Sequence, residues 1–144
     1  MQELLATWPS FAVTLVRVTL GVVFFAHGAQ KVLGWWGGAG LSNTVLHLGS
    51  VGVSRPAAYA VCFVELLGGI ALMLGLLTRP AALAVALVML GAIVKVHARW
   101  GFFINWMQTP GRGHGIEADL AYLAMALACL LAGGGALSLD RVLG

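Results

Sequence analysis

The chain has 144 residues, of which 60% are hydrophobic and only 9% charged, against roughly 25% charged for an average soluble domain. A soluble fold of this length has too little interior to hide so much apolar surface, so the chain reads as one integral membrane domain, 1–144. The net charge of +3 comes from basic residues scattered along the chain, with no run to track phosphates, which argues against nucleic acid as a partner.

Met1-Gln2-Glu3 is not a basic leader and Arg17 interrupts the first apolar run, so no signal peptide is expected and the first helix should persist. Trp8-Pro9 opens a first span at about 10–31, a start that suits Pro near the first turn. Its end, FFAHGAQKVLGWWGGAG over 24–40, is where the apolar run turns polar. His27 and Lys31 are four apart and share a helix face, and Trp35 and Trp36 mark the depth of a membrane–water interface. A short interfacial helix is expected at 41–49, capped by Ser42 or Asn43. The second span, about 56–77, opens at Pro56 and carries Glu65 near its middle. Thr78-Arg79-Pro80 reads as a tight turn, so the third span, about 80–97, runs antiparallel to the second. It ends in Lys95 and His97. A long aromatic connection follows, with Trp100, Phe102, Phe103, Asn105, Trp106 and Gln108. The fourth span, about 116–132, opens with Glu117 and Asp119 and stops at Gly133-Gly134-Gly135, since three glycines oppose a helix. The tail 137–141 reads as interfacial. The fold expected is therefore all-α: an integral membrane four-helix bundle with both long loops on the same side. Gly21 and Gly28 on one face, and Gly68, Gly69 and Gly75, suit close helix approach in lipid. Cys62 and Cys129 lie at different depths, so a disulfide is not expected.

An ionisable side chain inside a span costs roughly 2.5–3.5 kcal/mol on insertion scales and asks for a partner or a purpose. Glu65 lies about 13 Å from the loop side by helical rise, and Arg17 lies at a similar distance from the opposite face, close enough in depth for its long side chain to reach Glu65. Three readings stay open. One is a structural network, with Arg17–Glu65 and Lys95 with Glu117 or Asp119 locking helices together. The second is a polar pocket in which Glu65, His27 and His97 handle protons, with Arg17, Lys31, Trp35, Lys95, Phe103, Asn105 and Glu117 around a ligand. The third is a metal at His114-x2-Glu117 with His27 or His97, but no H-x-x-H, H-x-x-x-H or E-x-x-H spacing supports it, so no metal is assigned. The aromatics form either an interfacial belt or a lid over a flat ring such as a quinone, with Asn105 and Gln108 as hydrogen-bond partners. His47 reads as a solvated surface residue. Nucleotide, haem and Ser-His-Asp signatures are missing.

LVRVTLGVVFFAHGAQKVLGWWGGAG, FVELLGGIALMLGLLTRPAAL, KVHARWGFF, IEADL and GGGALSLD, in this order and spacing, resemble the DoxX family of small four-helix membrane proteins. The resemblance rests on Arg17 in span one, on His27, Gly28 and Lys31, on Glu65-x-x-Gly68-Gly69, and on Gly101 to Phe103. The family often has Glu-Tyr where this chain has Glu117-Ala118. The resemblance implies a multi-pass protein of the bacterial cytoplasmic membrane, linked to redox chemistry. No intrinsic cofactor is expected, and a quinone is the ligand implied. The partners implied are membrane lipid and a protein partner in a membrane complex. A non-catalytic anchor or accessory subunit is the alternative, whereas a transporter is disfavoured because no broken helix is evident. The count of basic residues favours a cytoplasmic loop side.

Overall fold

The computed structural model describes residues 5–144, which are helical and irregular with no strand among them; Met1-Gln2-Glu3, on which the expectation of no leader rests, lies outside them. Helix α1 is Phe11–Val32. A turn of 3-10 helix at Trp35–Gly37 leads to α2, Gly40–Ser50, then α3, Arg55–Leu74. Helix α4, Thr78–Ala92, continues as a π-helical turn at Ile93–His97 and a 3-10 turn at Ala98–Trp100. Helix α5 is Glu117–Ala132 and α6 is Leu139–Leu143. Three stretches are long and apolar enough to cross a membrane: Phe11–Val32, Arg55–Leu74 and Thr78–Trp100. Helix α5 has 16 residues, about 24 Å at 1.5 Å per residue, short of the roughly 30 Å of a hydrocarbon core.

The inward faces repeat at alternating steps of four and three. Arg17, Gly21, Phe24 and Gly28 are buried on α1, Ala58, Cys62, Glu65, Gly69 and Leu72 on α3, and Thr78, Ala82, Val85 and Met89 on α4. This narrow seam is what a helix needs when its other faces meet an apolar surrounding. The remaining faces carry exposed Leu15, Val22, Leu67, Leu74, Leu83, Leu87 and Val94, which suits lipid contact. Where lipid gives no hydrophobic drive for association, close backbone approach carries the packing. On α1 a Cβ added at Gly21 would lie 2.9 Å from Gly69 O, and one at Gly28 would lie 2.7 Å from Glu65 C. Helices α1 and α3 are thus antiparallel and glycine-seamed. Behind them Leu20, Phe24, Leu72, Val85, Met89, Ala126 and Cys129 form the core, with Phe24 edge-on to Tyr122 at 6.0 Å.

Three local expectations are corrected. The turn before α4 is not Thr78-Arg79-Pro80, because Thr78 already belongs to that helix. Helix α3 ends in Gly75 at φ 67°, where Leu76 N–H donates to Ala71 O and Gly75 N–H to Leu72 O, a Schellman closure. Helix α2 is not capped by Ser42 or Asn43: it starts at Gly40 after Ala39, and Asn43 Nδ2 turns back to donate to Ala39 O at 3.0 Å. Arg17 does not pair with Glu65. Its guanidinium, 1% exposed, donates to Gly134 O at 2.7 Å, Met73 O at 3.0 Å, and to Leu72 O and Leu137 O. Leu72 and Met73 are in the last turn of α3; the Met73 carbonyl has no intrahelical partner, the Leu72 carbonyl keeps a lone pair beyond its bond from Gly75 N–H, and Arg offers both a fork of five donors. Glu65 lies two helical turns away along α3, next to Gly28 rather than to Arg17.

Candidate functional site

Glu65 is the acid at the centre of the α1–α3 seam. Its side chain is 4% exposed, and both carboxylate oxygens accept hydrogen bonds from Lys31 Nζ, whose own side chain is 28% exposed. The sequence builds this locally. Gly28 brings the α1 backbone against Glu65 and Leu66, and Lys31, three residues further on the same face, then reaches over the seam. The buried carboxylate is thus tied to one ammonium that is itself partly open to the surroundings.

A second pair stands where α4 meets α5. His97 Nδ1 bonds Asp119 Oδ2 at 2.5 Å, with side chains 30% and 9% exposed. The buried face of α4, Thr78, Ala82, Val85 and Met89, would next present residue 96 if the helix stayed regular, and residue 97 would lie about 100° away. The π turn at Ile93–His97 takes up one extra residue, so His97 arrives where residue 96 would have been. Such turns are inserted residues and recur at functional positions. Asp119 lies in the first turn of α5, where the helix dipole favours a carboxylate, and its bond to Nδ1 leaves Nε2 as the free ring nitrogen.

The other expected site residues divide. His27 and Lys95 are exposed and make no side-chain hydrogen bond or ion pair among the described residues. Trp35 is half exposed and packs edge-on against Phe25 at 6.4 Å; Phe103 is exposed and stacks edge-on with Phe102 at 5.2 Å. Asn105 and Glu117 are committed to the 101–116 connection. Asn105 holds Thr109 and Arg112, and Glu117 Oε2 accepts from Ile104 N–H at 3.0 Å. Arg17 belongs to the opposite end of the seam. His47 is exposed, on α2. Cys62 and Cys129 are both buried and free. Among the described residues no group of three His, Cys, Asp or Glu could hold a metal ion.

Comparison with known proteins fits these positions into a family. The model of the DoxX family matches residues 12–98, the stretch that holds Arg17, His27, Lys31, Glu65, Lys95 and His97. The chain belongs to the DoxX family. It is 32% identical over 126 residues, 88% of its length and 82% of the relative's, to a Bacillus subtilis protein named "Putative oxidoreductase CatD". It is 31% identical over 140 residues, 90% of its length and 80% of the relative's, to "Uncharacterized membrane protein Rv3486" of Mycobacterium tuberculosis. No solved structure gives a significant match.

Beyond the DoxX match the structure adds residues that sequence reasoning missed. Asp119, which with Glu117 is one of two acids a structural network would offer Lys95, holds His97 instead. Asp140 is 1% exposed and its carboxylate accepts from Leu77 N–H at 2.7 Å and Thr78 N–H at 2.8 Å, capping α4 from 62 residues beyond Thr78. The tail is therefore stapled into the Arg17 end, with Asp140 N–H donating to Gly75 O. A lone acid in an apolar tail, in a chain with a lone Arg in its first span, is the signal that could have found it. The seam of this DoxX protein thus carries two charge clusters, Arg17 with Asp140 at one end, and Glu65 near the middle with Lys31 reaching it from the other end.

Proposed function

We propose that this DoxX protein is a redox-linked subunit of a bacterial cytoplasmic membrane. In this reading α5 is the fourth crossing of a four-helix bundle, both long connections lie at one membrane face, and the polar end beneath them receives a quinone-type head group. Glu65, His27 and His97 handle protons, while Lys31 offers its ammonium to a quinone oxygen. Reduction of a quinone takes two electrons and two protons. The protons would pass through these side chains, and the electrons would come from a partner redox protein. The observation that carries the reading is the Lys31–Glu65 pair: a carboxylate buried at mid-seam, tied to an ammonium that is itself 28% open. Ionisable groups inside a span mark ligand or proton paths more often than they serve packing. The name of the B. subtilis relative as an oxidoreductase supports the same class.

A second reading, an accessory subunit that anchors a larger complex, draws on a different observation. Arg17, Asp140 and Glu65 are each matched by partners within the chain, as a purely structural network requires. Glu65→Gln separates the two. With a redox site, the variant stays folded in the membrane but loses quinone-dependent turnover and the quinone co-purifying with wild type in native mass spectrometry. Unchanged turnover and unchanged bound small molecules in that variant, with a weakened assembly, would select the anchor.

A further inference from the structure

Away from the helix seam, residues 104–114 fold into a cup. Asn105, buried to 8% exposure, closes it: its Oδ1 accepts from Thr109 N–H at 3.0 Å, and its Nδ2 donates to Arg112 O at 2.8 Å and Thr109 O at 3.2 Å. The cup is open to the surroundings, offers about 460 Å³ and is lined among others by Trp106, Gln108, Arg112 and His114. His114 Nδ1 accepts from Asn105 N–H at 3.2 Å, which places the ring proton on Nε2. Neither the Arg112 guanidinium nor the Gln108 side-chain amide hydrogen-bonds to any described residue. Glu117, the acid tied to this loop, is turned to Ile104 N–H. The cup thus gathers free N–H donors of Arg, His and Gln, a set that suits clustered anionic oxygens, and the planar guanidinium matches a phosphate with two parallel bonds.

Its setting narrows the anion. The connection leaves directly from the apolar stretch Thr78–Trp100, so it begins where the bilayer ends. Trp106 is 78% exposed, Met107 87% and Phe103 67%, and such side chains in a row with basic residues are what an interfacial segment uses to sit among headgroups. We infer that the 104–114 cup is a binding site for the phosphate of an anionic phospholipid, with Arg112 and His114 on the phosphate oxygens and Trp106 and Met107 among the upper acyl carbons. The site is independent of the quinone reading and stands or falls without it.

The test uses the full chain in mixed micelles of phosphatidylglycerol and phosphatidylcholine, with retained lipid counted by native mass spectrometry. Wild type should keep one phosphatidylglycerol in preference to phosphatidylcholine. Arg112→Gln should lower that retention about five-fold, the equivalent of about 1 kcal/mol for one basic residue at an anionic surface, and His114→Gln should lower it less. Arg55→Gln, at the exposed start of α3, should leave it within two-fold. Arg112 is exposed, so its variant should fold, and an unchanged melting temperature checks this. Equal retention of the two lipids, or loss no greater in Arg112→Gln than in Arg55→Gln, overturns the proposal. Inorganic phosphate at millimolar concentration is the remaining arm. Should it displace the lipid and appear as an Arg112-dependent adduct, the cup is a site for small free anions and the lipid assignment fails.

Discussion

Lys31 and Glu65 form a pair whose value to stability and whose value to function can be separated by experiment. Removing one member of a buried pair leaves an uncompensated charge and costs about 3–5 kcal/mol, whereas replacing both by apolar residues of similar volume is often neutral or stabilising by about 1–4 kcal/mol. Lys31→Met should therefore lower the thermal stability of the detergent-solubilised protein sharply. Lys31→Met with Glu65→Leu should restore it to at least the wild-type level. A single variant as stable as wild type would mean that the ammonium does not hold the carboxylate. If the double variant is stable yet has lost quinone-dependent turnover, the charges are kept for chemistry, since packing alone does without them. The glycines beside the pair set its geometry, because Gly28 leaves no room for a Cβ against Glu65 and Leu66. That His27 and Lys31 share a face was legible from their spacing. The partner of Glu65 was not: the sequence offered Arg17, and only the helix register puts Gly28, and with it Lys31, opposite the acid.

At the scale of elements, the spans were legible because apolar runs of nearly twenty residues between Pro, Gly and Trp leave little choice of structure. Where they begin and end was less legible, because remote groups settle it. Helix α4 starts at Thr78 since Asp140 supplies the cap, a contact across the chain that no local rule contains. The π turn at Ile93–His97 is invisible to composition as well, though it leaves a trace. The buried positions of α4 step by four and three up to Met89, and His97 then falls one residue late. Deleting Val96 should relieve this. The helix becomes regular, the histidine keeps its place opposite Asp119, and the melting temperature should stay within a few degrees of wild type. Deleting Val88 from the regular part instead rotates all that follows by about 100° and should abolish folding. If the Val96 deletion is as damaging as the Val88 deletion, the extra residue is not what brings His97 to Asp119.

Across the whole molecule, the charge placement makes a topological statement. The partners of Arg17 are Gly134 and Leu137 beyond α5 and Leu72 and Met73 at the end of α3, while the start of α5 is tied to His97 after α4. Helix α5 therefore runs the length of the seam antiparallel to α4, from the His97 end to the Arg17 end, as a fourth crossing would. Its 16 residues are short for a bilayer, and the apolar turns on either side, with local thinning, would have to make up the difference. Cysteine labelling decides the matter. The native Cys62 and Cys129 are fully buried, and a Cys62→Ala, Cys129→Ala background removes them. Single cysteines then go to exposed sites, His47→Cys on α2, Thr109→Cys on the cup and Val142→Cys on α6. In oriented membrane vesicles an impermeant maleimide should reach the first two from one side and the third only from the other. Should residues 109 and 142 label from the same side, α5 does not cross, and the four-crossing bundle that frames the proposed quinone site is lost.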